Sequence, residues 1–387
     1  MRRPNGMRLL PGLALAAVLT ALGGCGSDAA ESPREDGRTG EAPGWRVVDD
    51  PPLSPRERPL TAYVGTEVLV LGGYTGPPCP PNADCAYEPT RTTDGAAYDG
   101  DGWRAVPDAP RPVSDWMPHA VTGDQLHVLV EGDLLTYDLS DQAWTEVPTP
   151  GRMTGVELDA DGDRLLFTAG SDENGVSPDR VLDTRTGEWS TLPDDPLGPS
   201  FDRMLTVTPS GLVLTAKGIG RDGGPEDPAL VRAAVLRPGA EDWERFPDSD
   251  QLGGYRWGWT GERMVDPSLG GADGGEVNGY GRIIPYGGTL DPGTGRWTTL
   301  PDAPEEWSGG WRVEALDGPV IAAEGWLYDD RTMTWTRLPR PDDAPEEPGP
   351  AVWTDDGLFV VGGLDWSGGN TSEDVYSTGA WVYPPPR

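Results

Sequence analysis

Cationic side chains are scarce in this sequence of 387 residues. Lysine occurs once, at Lys217, and 30 basic residues face 64 acidic ones, for a formal charge of −34. Nucleic acid is excluded as a general partner, because binding it requires a basic footprint. Histidine occurs twice, at His119 and His127, and cysteine three times. Those counts leave little for imidazole or thiolate metal sites. They also weaken a Ser-His-Asp hydrolase, and no G-x-S-x-G elbow is present. The apolar run from Leu9 to Leu22 is too short for a comfortable membrane span. What is abundant is turn-forming and aromatic: 55 Gly, 42 Pro and 16 Trp. So much Gly and Pro borders on disorder, but disordered chains are poor in aromatics. Many short strands joined by loops reconcile the two.

The N-terminus carries Arg2, Arg3 and Arg8, then a mostly apolar run from Leu9 to Leu22 and small residues before Cys25. This is the plan of a secretory signal. Leu22-Gly23-Gly24-Cys25 resembles the lipobox of bacterial lipoproteins, which implies cleavage after residue 24, acylation of Cys25 with a palmitate-type chain, and anchoring to the extracytoplasmic face of the cell membrane. Residues 25–43 hold no large apolar side chain after the Cys and read as an acidic tether. Such a coil reaches roughly 25 Å. With Cys25 lipidated, Cys79 and Cys85 remain, and export to an oxidising compartment makes a local disulfide the economical reading. Closing so short a loop stabilises by about 2 kcal/mol.

Residues 44–387 are written in repeats. Trp103, Trp144, Trp189, Trp243, Trp297, Trp335 and Trp381 each have Pro four residues on, and Asp138, Asp183, Asp291 and Asp329 stand six residues before their Trp. Ahead of each Trp comes a glycine-containing hairpin turn, at Gly65, Gly123, Gly162, Gly211, Gly261, Gly318 and Gly357. The units are about 40 to 60 residues long, the period of propellers and solenoids. The apolar run after each turn suits a strand covered on both faces. Trp and the apolar residue three positions later, such as Val106, Leu192 or Leu338, point to opposite faces of an outer strand. A sheet with two apolar faces must be stacked between others, and a closed ring does this for every unit. The count predicts an all-β fold: a seven-bladed β-propeller of four-stranded antiparallel blades. Trp45 is an eighth Trp without a hairpin before it. It either lies against the last blade and closes the ring or leads into the first.

The doublets Gly72-Gly73 and Gly362-Gly363, with the Asp-turn-Trp endings, resemble the kelch repeat. Kelch propellers include the central domain of galactose oxidase, whose copper-radical chemistry needs histidine and tyrosine ligands and a Cys joined to a Tyr ring. Two histidines and a paired set of cysteines do not supply that site, so no copper and no other cofactor is expected.

Functional loops should be those joining successive blades and those joining the two middle strands of each blade, since both surround one mouth of the channel. They carry Trp116, Tyr255, Arg256, Trp257, Trp307 and Trp366 among acidic neighbours, a mixture suited to a sugar or a peptide. Asp159 to Asp163, "DADGD", lacks the glycine and distant Glu of a calcium loop and reads as a hairpin tip. The paired carboxylates at Glu305 and Glu306, and at Glu346 and Glu347, could serve a hydrolase but lie in Pro-rich loops. The expectation is a monomeric, non-catalytic propeller that binds a glycan or a protein. The alternative is an extracellular carbohydrate-active enzyme, a hydrolase, lyase or mutarotase.

Overall fold

The computed structural model describes residues 44–80, 85, 90–219, 228–253, 256–272, 281–302, 310–366 and 375–385. The signal segment, Cys25 and the tether fall outside them, as do Tyr255 and Trp307. Among the described residues seven antiparallel sheets of three or four strands follow one another along the chain, with three two-stranded ribbons in the loops. The first comprises Leu60–Val64, Glu67–Leu71, Gly95–Tyr98 and Trp103–Val106, paired in that order. The second to fifth repeat the plan, beginning at His119, Val156, Ser200 and Gly258. In the sixth the innermost strand shrinks to a bridge between Ala315 and Ala322, beside Ile321–Ala323, Trp326–Asp329 and Thr334–Arg337. The architecture is the seven-bladed propeller that the repeat predicts.

The seventh blade shows how the ring closes. Ala351–Thr354, Gly357–Val361 and Ala380–Tyr383 supply three strands, and the fourth is Arg46–Val48, from the other end of the chain. Arg46, Val47 and Val48 pair with Val382, Trp381 and Ala380. Trp45 therefore belongs to the last blade. The expectation that Trp381 marks an outer strand is corrected by the same observation: Trp381 sits on the third strand, and its outer neighbour is supplied by the N-terminal segment.

The fixed offset between Trp and Pro has a cause that packing alone does not give. The indole N–H of Trp144 donates to the carbonyl of Pro107 in the preceding blade at 3.0 Å, and Trp189 does the same to Pro148 at 3.2 Å. Trp243 donates to Pro193, Trp297 to Pro247 and Trp335 to Pro301 at 2.8 to 3.1 Å. Trp45 donates to Pro339 at 2.6 Å, and Trp103 to the carbonyl of Asp49 at 2.6 Å. In each pair the acceptor lies four residues after the preceding blade's own Trp. Seven such bonds run once around the ring. Proline suits the acceptor position because it ends the strand and still offers a carbonyl.

Each outer strand serves two interfaces. Trp189 packs with Phe167 in the apolar layer between the second and third blades, whereas Leu192 faces the layer between the third and fourth. Trp335 and Leu338 divide in the same way between Tyr328 and the layer holding Trp311. The Asp residues six before Trp close the outer hairpins: the Asp183 carboxylate accepts the Thr186 N–H at 2.8 Å, and that of Asp291 the Gly293 N–H at 2.8 Å. Gly72 cannot be replaced, since a Cβ there would stand 2.1 Å from the Val113 carbonyl oxygen. Cys79 and Cys85 form the expected disulfide, with Cα atoms 5.8 Å apart, in the loop between the middle strands of the first blade.

Candidate functional site

A cavity of about 700 Å³ opens at the channel mouth between the first, second, sixth and seventh blades. Its walls come largely from the segments that lead into innermost strands: Glu57 and Arg58 before Leu60, Asp115 before the second blade with His119 as the first residue of its strand, Arg312 and Glu314 at the sixth, and Glu347 at the seventh. Gly363 and Leu364 add the middle loop of the last blade, and Asp317 lies at the deep end. This is the mouth that the loop argument selects.

Arg58 organises one wall. Its backbone takes the left-handed conformation at φ 53°, which costs a non-glycine residue energy and is met where the surroundings enforce it. Its Nε donates to the Asp115 carboxylate at 2.9 Å, and its guanidinium lies 3.4 Å from the centre of the Trp116 ring. Behind Arg312 of the lining, Glu324 in the middle turn of the sixth blade is gripped by Arg312 at 2.5 Å and by Arg256 at 3.4 Å. Arg256 also pairs with Glu314. Burial works against ionisation of Glu324, but the two guanidiniums outweigh it and hold its pKa below the usual range. Glu57, bonded by the Tyr376 hydroxyl at 3.4 Å, and Asp115 are shifted upward, mainly by burial, despite Arg58. Burial keeps His119 neutral by depressing its pKa, while the Met117 carbonyl, 3.0 Å from Nδ1, and Asp115 oppose the shift.

Farther down, the innermost strand of the third blade adds Asp159. Asp159 is half-buried. Burial, followed by the charges of Asp317 and Glu157, pushes its pKa up to about 8. Burial also raises Asp317, against the Trp259 N–H that donates to it at 3.0 Å. A carboxyl whose folded pKa is raised favours the fold fully below its unfolded value near 4, and this contribution is lost as pH rises through about 8. Asp159→Asn is therefore expected to be the more stable protein at pH 8 and to lose that advantage by pH 4. Because Asp159 is only half-buried, solvent screens it and the gain should be about 1 kcal/mol. Urea unfolding at the two pH values measures it, and equal stabilities at pH 8 would refute the burial of this group.

Of the residues singled out from sequence, Trp116 is 65% exposed at the rim and Arg256 spans the fifth and sixth blades. Trp366, in the middle loop of the seventh blade, is half-buried. Trp257 is 2% exposed and packs against Trp297 at 5.9 Å, inside the layer between the fourth and fifth blades. It offers no face to a ligand. Sequence reasoning missed Glu57, Arg58, Asp115 and Asp317, and it read Asp159 as part of a hairpin tip. The tip is Gly162-Asp163, and Asp159 stands on the strand before it. Their only signal was position: linker residues just ahead of an innermost strand, and polar residues alternating along one.

No protein-family model and no curated protein matches the sequence. Among solved structures the chain is similar to the extracellular domain of the putative one component system BT4673 from B. thetaiotaomicron, with 8% identity and a TM-score of 0.49 over 86% of this chain and 39% of that one. It is also similar to YjhT, with 11% identity and a TM-score of 0.42 over 85% of this chain and 95% of that one. The chain thus spans about two fifths of the length of the first.

Proposed function

We propose that this is a kelch-type propeller lipoprotein, anchored through Cys25 to the extracytoplasmic face of the membrane, that binds a glycan or protein ligand at the channel mouth without transforming it. The carrying observation is the cavity of about 700 Å³ with the exposed Trp116 at its rim and its charged walls fixed by ion pairs. Charges locked by partners are preorganised, which reduces the entropy lost on binding. The kelch reading is supported by the left-handed glycine doublets at Gly72-Gly73 and Gly362-Gly363. The surface reading is supported by the Cys79–Cys85 disulfide, which suits an oxidising compartment. Gly44 precedes a strand that starts beside the Gly357 hairpin, on the side of the ring away from the mouth.

The experiment uses the mature protein on arrays of extracellular oligosaccharides and peptides. Trp116→Ala should weaken retention of the bound class about tenfold while shifting stability by less than about 0.5 kcal/mol, as expected for an exposed ring. Retention that is indifferent to Trp116 and to the cavity would overturn the assignment of the mouth. For the anchor, incorporation of a labelled fatty acid should vanish in Cys25→Ser.

A further inference from the structure

We infer that the ligand at the mouth presents a basic side chain, the lysine or arginine of an extended protein segment, which inserts into the cavity. The inference rests on the binding role proposed above and narrows it to one chemistry. Five carboxyl side chains line the cavity against two guanidiniums. Both guanidiniums are engaged, Arg58 with Asp115 and Arg312 with Glu324. Glu347 has no ion-pair partner among the described residues, and Glu57, which accepts only the Tyr376 hydroxyl at 3.4 Å and feels Arg58 beside it, is of the same sign. Narrow walls of low polarisability concentrate that negative potential.

A second observation is independent of charge. Thr61, on the innermost strand of the first blade, lines the same cavity, is 8% exposed, and has a hydroxyl without a hydrogen-bond partner. Leaving a buried hydroxyl unpaired is unfavourable; the Thr61 oxygen is closed off as it stands, so an ammonium or guanidinium N–H supplies the missing donor once the side chain turns toward the cavity that the residue lines. At the rim, Trp116 has Arg58 stacked 3.4 Å from its ring centre yet is 65% exposed, which leaves apolar ring surface for the stem of a basic side chain on its way in. A neutral sugar leaves the excess carboxylates unanswered. A peptide also brings backbone carbonyls, and these can accept from Arg312, whose side chain is 73% exposed.

The probe is a hexalysine peptide, titrated into the full-length ring at physiological salt. Glu57→Gln with Glu347→Gln should weaken binding about tenfold. Asp141→Asn with Glu188→Gln removes the same charge from exposed outer hairpins and should leave binding within about twofold. Thr61→Val should weaken it a few-fold at unchanged thermal midpoint, because the shape is kept. If the first double variant does not fold, Glu347→Gln alone repeats the comparison. Equal losses in both double variants would mean general attraction to an acidic protein and would overturn the inference. Tight binding of spermidine that hexalysine does not displace would overturn it in favour of a free polyamine. Retention of a neutral glycan, sensitive to Trp116 but without any hexalysine binding, would overturn it and leave the binding role standing. No mouth-dependent binding of any probe would overturn both.

Discussion

Trp45→Ala should destabilise the ring by about 4 kcal/mol, although the residue lies at the very start of the described fold. Trp45 is 4% exposed, meets the Trp311 ring edge-on at 5.2 Å and the Tyr383 ring at 5.0 Å, and donates to Pro339 at 2.6 Å. Truncation forfeits the transfer energy of a large ring and leaves a cavity that the layer between the sixth and seventh blades cannot refill. It also strips the anchor from a strand of only three residues, Arg46–Val48, whose pairing is what joins the two ends of the chain. Trp189→Phe provides the contrast. It deletes one interblade hydrogen bond of 3.2 Å near the surface, where water can replace the donor, so about 1 kcal/mol is expected. Urea unfolding of both variants decides the matter. If Trp45→Ala cost no more than Trp189→Phe, the closing strand would be an ornament and ring integrity would have to come from elsewhere.

That contrast also marks what could be read from the letters. The seven hairpins, the Trp strands and the two-faced outer strand were legible because every blade solves the same packing problem, and repetition separates signal from chance. The Trp-to-Pro spacing was legible as a pattern but not as a bond: its acceptor belongs to the preceding unit, about 40 residues away, and no local rule links the two. Closure was undecidable because Trp45 stands alone, with no hairpin before it to declare its blade. The site was harder still. Trp116 and Arg256 were conspicuous as an aromatic and a cation in long loops, whereas Glu57 and Asp115 look like any acidic linker residues in a chain with 64 carboxylates. Trp257 misled for the converse reason, since an indole beside an interblade linker can face the channel or the neighbouring blade, and the repeat does not say which. Charge acquires meaning here only from burial, and burial is a property of the closed ring.

Arg203 is the strongest case of such a hidden role, and its loss should cost about as much as that of Trp45. The innermost strand of the fourth blade, Ser200–Thr208, shifts register between Phe201 and Met204, with Asp202 in the left-handed conformation at φ 49°. A bulge of this kind re-aims a side chain, and here it turns Arg203 inward, where its side chain is 3% exposed. The guanidinium bonds Asp179 at 2.8 Å, Asp195 at 3.0 Å and the Ala169 carbonyl at 2.9 Å, with Asp172 at 3.7 Å. One cation thus holds together carboxylates of the third blade and of the linker that follows it. Arg203→Met keeps much of the volume and leaves these acids uncompensated, for an expected loss of about 4 kcal/mol at pH 7. The pH dependence identifies the cause. Burial already raises the pKa of Asp179, with Arg203 opposing that shift. Without the arginine the folded-state pKa climbs further. A raised carboxyl favours folding below its unfolded value near 4 and loses that contribution as pH rises through the folded value. The deficit of Arg203→Met should therefore be widest near neutrality and shrink as pH falls toward 4. Adding Asp179→Asn should recover part of it at pH 7, because the two sites are coupled. Chemical unfolding at pH 7 and pH 4.5 tests both points. A deficit that is the same at both pH values would mean that Arg203 acts through its bulk and its backbone bonds, not by neutralising the acids around it.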